Sequence, residues 1–430
     1  MKNKITHLAQ QLMTFIDNSP VPYFAVNNIV NTLKENGYQP LYESQKWQLK
    51  LGQKYYLERN NSAVIAFQLG TKLPWETGFN IVGAHTDSPN FKLKNESLTN
   101  SAGCLKVNVE AYGGVIHSTW LDRDLSLAGN VSITTEQGIE SRLIDFKRPI
   151  GSIPNLAIHL NREVNSGFEY SKQHHLAVVL YGEHTKINEQ TYLKELIANE
   201  LAIDAASILE MDLSFYDTQK GALIGLDKNI ITTARLDNLA MCHCIQEGLI
   251  NAKNPEQTNI GAFFDNEEIG STTTMGADSN YLSTLLDRIV FSLGGDLEDG
   301  LRARHNSFLI SADGAHAQHP NFADKHDPSY RPLLNKGPVI KYNANFRYAT
   351  TAASAARFIT LCNKVNVPYQ KMANHSDLPC GSTIGPTSSA ALGIEAVDVG
   401  NPMLAMHSIR ESQGSTDHYY MIKVISEFYQ

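Results

Sequence analysis

Residues 81–94, IVGAHTDSPNFKLK, end an apolar run in an imidazole and a carboxylate two positions apart. Side chains alternate faces along a strand, so His85 and Asp87 are expected on the same side of it. A ligating His commonly has a carboxylate that fixes its tautomer and orientation, so the pair suits a metal site. The same residues also read as a strand end and a polar turn closed by Pro89. The metal reading needs further ligands, and they are expected at the carboxyl ends of strands, where open α/β sheets build their sites.

Four stretches offer them. Asp237, in TTARLDN, opens a helical pattern; it reads equally as a carboxylate favoured by the helix dipole. Glu267 and Glu268, in FFDNEEIGS, follow an apolar strand. Adjacent carboxylates repel, so a positive charge should offset them. One can bind a metal while its neighbour faces the substrate as general base; the plain alternative is an exposed acidic turn. Asp313, in FLISADGAHAQHPN, again follows an apolar strand, with His316 and His319 at helical spacing behind it. His407, in LAMHSIRE, reads on its own as a satisfied core His.

With Glu267 set aside as base, His85, Asp237, Glu268, Asp313 and His407 are too few for two separate four-coordinate sites. They are enough for two cations sharing one bridging carboxylate. Such a pair, ~3.5–4 Å apart, activates a water and polarises a carbonyl. Imidazole and carboxylate without thiolate suit Zn, and also Mn or Co. Cys242 and Cys244 lie two apart in a helical pattern and do not converge, so they read as buried thiols.

The elements that must hold these residues are legible as texture. Helical patterns cover 4–18, where Ile5, Leu8, Leu12, Phe15 and Ile16 make one stripe, and about 23–36. Apolar strands follow at 63–70 and 80–88. From about 104, short alternating strands with Gly turns predict an antiparallel sheet with one wet face, followed by a helix near 191–203. After about 230 apolar strands alternate with helices again, including 351–365 and 415–429. The pattern predicts an α/β domain, its mixed sheet covered by helices on both faces, made of 1–92 and 235–430. A β-rich domain, 93–234, interrupts it, and the long interval between His85 and Asp237 without a trusted ligand coincides with that insert.

The bulk numbers narrow the partners. The chain has 430 residues, 42% hydrophobic and 19% charged, with a net charge of -8. That length favours two domains. The absence of a Lys/Arg run argues against nucleic acid or an anionic membrane as partner. No window approaches the ~18 apolar residues of a membrane span. The first twenty residues lack the apolar core of a secretion signal. Five scattered Cys point to reduced thiols and a cytoplasmic location.

Taken together, GAHTDSPNFKLK, STWLDRDLSLAG, DNEEIGS, SADGAHAQHPN, KGPVIKYNANFRYAT, CGSTIGP and MHSIRE resemble the aspartyl aminopeptidases, di-zinc metallopeptidases related to the vacuolar aminopeptidase of yeast. The resemblance implies that His85 and Asp313 bind one zinc, Glu268 and His407 the other, and that Asp237 bridges both. Asp87 would orient His85, and Glu267 would move the proton from the attacking water to the leaving amine. It implies a preference for Asp or Glu at the N-terminus of a peptide substrate. It also implies a homododecamer built from dimers through the inserted domain, in which His159 of a neighbouring subunit reaches the active site; on pattern alone His159 reads as a strand His facing solvent. Recognising a carboxylate needs a cation or several donors. Lys341, His159 and His316 are the candidates, with Arg347 behind them, although Lys341 reads equally as a surface residue of a strand. Tyr330 stands where the family commonly carries another His. Other readings on this scaffold are an aminopeptidase of broader or neutral specificity, and a carboxypeptidase or deacylase.

Overall fold

The computed structural model describes residues 1–182 and 187–430. The chain forms two compact units: 1–87 with 221–406 and 411–430, and 88–220 with 407–410.

The first unit is built on a nine-stranded mixed sheet. Four strands at its centre run parallel: Thr258–Phe264, Phe79–His85, Phe308–Ala312 and Glu395–Gly400. Ala63–Gln68 pairs antiparallel outside Thr258–Phe264, and Val339–Tyr342 antiparallel outside Glu395–Gly400. These strands are buried along nearly their whole length because both faces are covered, and the two cores divide their apolar residues with period two. Val64, Ala66, Val82, Ala84, Phe263, Ile310 and Val397 pack on one side. Ala63, Ile65, Phe67, Phe79, Ile81, Ala262, Leu309 and Ala396 pack on the other. Helices Lys2–Asp17, Pro22–Glu35, Leu236–Asn251 and Ser415–Phe428 cover the first face. Helix Tyr281–Ser292 covers the second. The stripe read in the first helix buries Leu8, Leu12 and Ile16, each worth about 1.5–3 kcal/mol of transfer free energy.

The second unit is an antiparallel sheet whose longest hairpin pairs Leu125–Thr135 with Gly138–Asp145. Helix Tyr192–Leu201 contributes Leu193 and Ile197 to its core. The sequence pattern extends this region to 234. Ala222–Ile224 and Ile230–Thr233 instead belong to the first unit, where Ile230–Thr233 pairs with Glu411–Gly414. That pairing joins segments about 180 residues apart, which no local pattern reveals. Among the described residues no helix is long and apolar enough to cross a membrane, and all five cysteines are unpaired.

Where helix Leu236–Asn251 meets helix Ser415–Phe428, His243 Nδ1 lies 3.0 Å from His418 Nε2, and Cys244 Sγ lies 3.4 Å from His418 Nδ1. Both rings are buried, so Cys244 behaves as the buried thiol the helical pattern predicts. Burial pushes His243 down to about 4 and His418 well below its ordinary value, with His243 adding to the effect. The unfolded chain then binds more protons than the folded one between pH ~6.5 and ~4. Stability should be fully present above pH 6.5 and fall as the pH drops through that window. Thermal midpoints of the wild type and of His243→Gln, measured from pH 7.5 to 4.5, check this: the wild type should lose stability more steeply than the variant.

Candidate active site

The parallel strands deliver their C-terminal ends to one edge of the first unit, and the acidic residues gather there. His85 is the last residue of Phe79–His85. Its Nε2 lies 3.5 Å from Asp237 Oδ1, 3.5 Å from Asp313 Oδ1 and 3.9 Å from Glu267 Oε2. Two sets of ligand atoms, His85 with Asp237 and Asp313, and His85 with Glu267 and Glu268, each lie within 4.8 Å of one another.

The orientation of His85 comes from a loop. The strand stops at His85, so alternation along a strand does not bring Asp87 to it as the sequence suggested. The chain turns, and His85 Nδ1 lies 3.1 Å from the Asp87 carbonyl and 3.3 Å from Asp87 Oδ1. Both partners are oxygens, so the Nδ1 proton faces them and Nε2 is the nitrogen turned toward Asp237 and Asp313. The carboxylate of Asp87 also accepts the Glu267 amide at 3.2 Å on Oδ1 and the Glu268 amide at 3.1 Å on Oδ2. One buried side chain thereby ties the His85 strand end to the short 3-10 turn Glu267–Ile269.

Asp237 enters at the start of helix Leu236–Asn251, behind Arg235 at φ 55°. Its amide donates to Glu411 Oε2 at 3.0 Å, Asn238 Nδ2 donates to the Ala312 carbonyl at 2.9 Å, and the Cys242 thiol donates to the His85 carbonyl at 3.1 Å. Asp313 follows Phe308–Ala312, and its amide donates to Val399 at 2.9 Å. Gly400 is required beside it: a Cβ there would stand 1.6 Å from the Asp313 carbonyl oxygen. Glu411, Asn238 and Gly400 were not singled out from sequence, and Cys242 reads there only as a buried thiol. Glu411 is the last residue of the MHSIRE stretch, which is the one trace it leaves.

Burial and the crowd of carboxylates shift the titration of the centre. Burial first, and then Asp313, Asp237 and Asp87, push Glu267 up to about 8, against the lowering effect of His85. Burial and Asp237 likewise raise Glu268 well above the ordinary carboxylate range. His85 is raised by its three aspartates even though burial opposes this. Like charges held this close call for cations between them. The donor set, imidazole and carboxylate oxygen without thiolate, fits zinc.

The remaining candidates sit as follows. Lys341 is a buried residue of Val339–Tyr342 rather than a surface one. Its ammonium lies 3.3 Å from Asp313 Oδ2 and 5.3 Å from the Tyr348 ring centre. His316 is exposed and follows Ala315 in a two-residue strand, while His319 lies in the loop behind it, so the helical spacing there has no helix. Arg347 is exposed in the loop after the Lys341 strand. His407 belongs to the second unit, in the segment 407–410. It is half-buried, takes φ 68°, and donates from Nδ1 to the Gly114 carbonyl at 3.2 Å. His159 is exposed in a turn, not a strand.

Comparison with known proteins gives this geometry a context. Residues 15–429 match the family described as aminopeptidase I zinc metalloprotease (M18). A probable M18 family aminopeptidase 2 of Clostridium acetobutylicum is 47% identical over 432 residues, covering 100% of both chains. A chain of the solved complex of Ape4 and Nbr1 superposes with a TM-score of 0.96 at 38% identity, covering 100% of this chain and 86% of that one. The mApe1 dodecamer of S. cerevisiae superposes with a TM-score of 0.85 at 27% identity, covering 98% of this chain and 96% of that one.

The hub role of Asp87 can be tested directly. Asp87→Ala leaves two partly buried amides without their acceptor and His85 without its nearest carboxylate. Groups that orient a ligand in this way are typically worth about 10–100-fold in metal affinity. Zinc retention against a graded chelator should fall by that factor, and retention equal to wild type would remove Asp87 from the role.

Proposed function

The chain belongs to the aminopeptidase I zinc metalloprotease (M18) family, and from that premise we propose that it removes acidic N-terminal residues from peptides by a di-zinc reaction with Glu267 as general base. The observation that carries the reading is the convergence of His85, Asp237, Glu267, Glu268 and Asp313 on the carboxyl edge of the parallel strands. His85 and Asp313 would hold one zinc, Glu268 and His407 the other, with Asp237 between them. When bound, the ions lower the pKa of a water and polarise the scissile carbonyl. Glu267 takes the proton of that water and returns it to the leaving amine. A carboxylate in that place can accept a proton and return it. Asp87 holds the turn that carries Glu267, and Asp237, Asp313 and Glu268 keep acceptors toward the centre.

The acidic preference is assigned to Lys341, helped by His316 and by His159 of a neighbouring copy. Leu156, Ile158 and Leu160, which flank His159, are 56%, 42% and 74% exposed. Apolar side chains left in water beside a candidate site residue are what a subunit contact would cover. This supports assembly into a dodecamer like that of mApe1, and a cytosolic location agrees with five unpaired thiols.

Two substitutions test the chemistry. Glu267→Gln should keep metal content at the wild-type level while turnover of an Asp-peptide falls about 10²–10⁴-fold; near-normal turnover would remove Glu267 as base. Lys341→Met, assayed on matched peptides beginning with Asp and with Ala, should lose at least about tenfold more on the acidic series, as expected for a charge-assisted contact. Equal losses on both series would mean that Lys341 serves only Asp313.

A further inference from the structure

A cavity of about 290 Å³ lies in the first unit, with His316, His319, Lys325, His326, Tyr330 and His375 in its wall and Asn374 between them. It abuts the acidic centre. Met403 and Met406 also line it, and a Cβ added at Gly314 would stand 2.8 Å from each of them and 3.5 Å from Asp237 Cγ. Nothing above assigns His319, His326 or His375 a role.

The backbone fixes the protons of these three rings. The His319 amide donates to His326 Nε2 at 3.0 Å. The Asn321 amide donates to His319 Nδ1 at 3.1 Å, and the Asp377 amide donates to His375 Nδ1 at 3.2 Å. An amide can only donate, so each receiving nitrogen is bare and the neutral ring carries its proton on the other one. His326 Nδ1, His319 Nε2 and His375 Nε2 are therefore N–H donors. Burial first, and then His319 and Arg331, lower His326 from its ordinary value, so its donor form is the neutral one at pH 7.

The wall is also preorganised. A bridge joins His326 to Asn374, Ala317 donates to the Met403 carbonyl at 2.9 Å, and Gln318 to the Pro332 carbonyl at 2.7 Å. No carboxylate lines the cavity among the described residues. Asp324, 3.7 Å from Lys325 Nζ, and Asp377, 3.9 Å from His375 Nδ1, face these groups from outside the lining. A concave wall of donors with apolar methionine, leucine and proline between them suits a carboxylate on a short side chain.

We infer that this cavity is a second carboxylate subsite of the enzyme, taking an acidic side chain at the position that follows the scissile bond. Of the two residues of this unit assigned to the first position, Lys341 does not line the cavity and His316 does, so the two subsites share His316 and differ in Lys341. The inference rests on the aminopeptidase reading and predicts selection for two successive acidic residues.

The test uses His319→Asn and His375→Asn together. In each, the Asn side-chain oxygen can still accept the amide two residues on, as in an Asx turn, so the loop is kept while the ring donor is lost. Tripeptides beginning with Asp and carrying Asp, Asn or Ala at the second position are compared by kcat/KM. Wild type should favour Asp over Asn there, and the variant should lose that preference by roughly tenfold or more, the usual weight of bonds to a charged group, with the Ala peptide unchanged. An equal fall on all three, no change, or a loss confined to exchange of the first residue would overturn the assignment. Calorimetric binding of Asp-Asp against Asp-Asn to Glu267→Gln, with and without the two histidine substitutions, reads the same discrimination without turnover. Wild-type protein inert on every peptide would sink the hydrolytic reading, and this binding comparison would still decide the subsite. If the double variant does not fold, His375→Asn alone carries both arms.

Discussion

Mutual repulsion among buried carboxylates is the constraint around which the first unit is arranged. Asp237, Glu267, Glu268 and Asp313 crowd one imidazole, where the low local dielectric makes like charges far costlier than in water. Left to themselves these side chains would splay toward solvent. The backbone prevents it through bonds of unequal sequence range. Asp87 accepts two amides of the Glu267 turn, Glu411 accepts the amide of Asp237, and Asn238 donates to the end of the Asp313 strand. Each bond ties a segment that carries one of the acids to another segment of the first unit, so an acid that retreats must break or strain a hydrogen bond. The repulsion is thereby stored for a cation to relieve.

The same logic explains where the backbone is least comfortable. Arg235, Asn266 and His407 all take left-handed φ, at 55°, 64° and 68°. Arg235 stands two residues before Asp237, Asn266 directly before Glu267, and His407 is itself a candidate ligand. Asn and His are among the residues that tolerate this region, whereas Arg is not. Strain of this kind costs of order 1–3 kcal/mol per residue and persists only where the surroundings over-determine it. For Arg235 and Asn266 the surroundings are the parallel strands of their own unit, whose period-two burial on both faces leaves them little freedom to move.

How much of this could be read in the sequence depended on how local each signal was. Phe79–His85, Thr258–Phe264 and Phe308–Ala312 are apolar runs ending in acidic or imidazole residues, so the strand-end rule finds His85, Glu267, Glu268 and Asp313 without help. The helices Lys2–Asp17, Ala352–Lys364 and Ser415–Phe428 follow from their stripes. His407 has no such signal: it lies in an irregular segment at positive φ, and on its own it reads as a satisfied core His, picked only in company with the other candidates. The pairing of Ile230–Thr233 with Glu411–Gly414 is equally silent, which is why 221–234 reads with the insert and folds with the first unit. Lys341 looks like a polar interruption of a strand and is in fact buried on Asp313; alternation says which side it faces, not what waits there.

Charge on a larger scale bears on how an acidic peptide could be chosen at all. The chain carries a net charge of -8, and the candidate centre concentrates carboxylates, so the distant field of the protein does nothing to draw an anion in. Screening confines such fields to about 8 Å at physiological ionic strength in any case. Selection for acidic side chains must then be made at contact, by donors already aimed before the substrate arrives. Side-chain ammonium groups on flexible stems aim poorly, and the one near the centre, Lys341, is held by Asp313. Imidazoles whose second nitrogen is pinned by a main-chain amide do better, because the bond that fixes the tautomer also limits the ring. A hydrogen-bonding wall of that kind discriminates carboxylate from amide by the number of acceptors each presents, and Lys325, paired with Asp324 at 3.7 Å, is the one cation in the lining among the described residues.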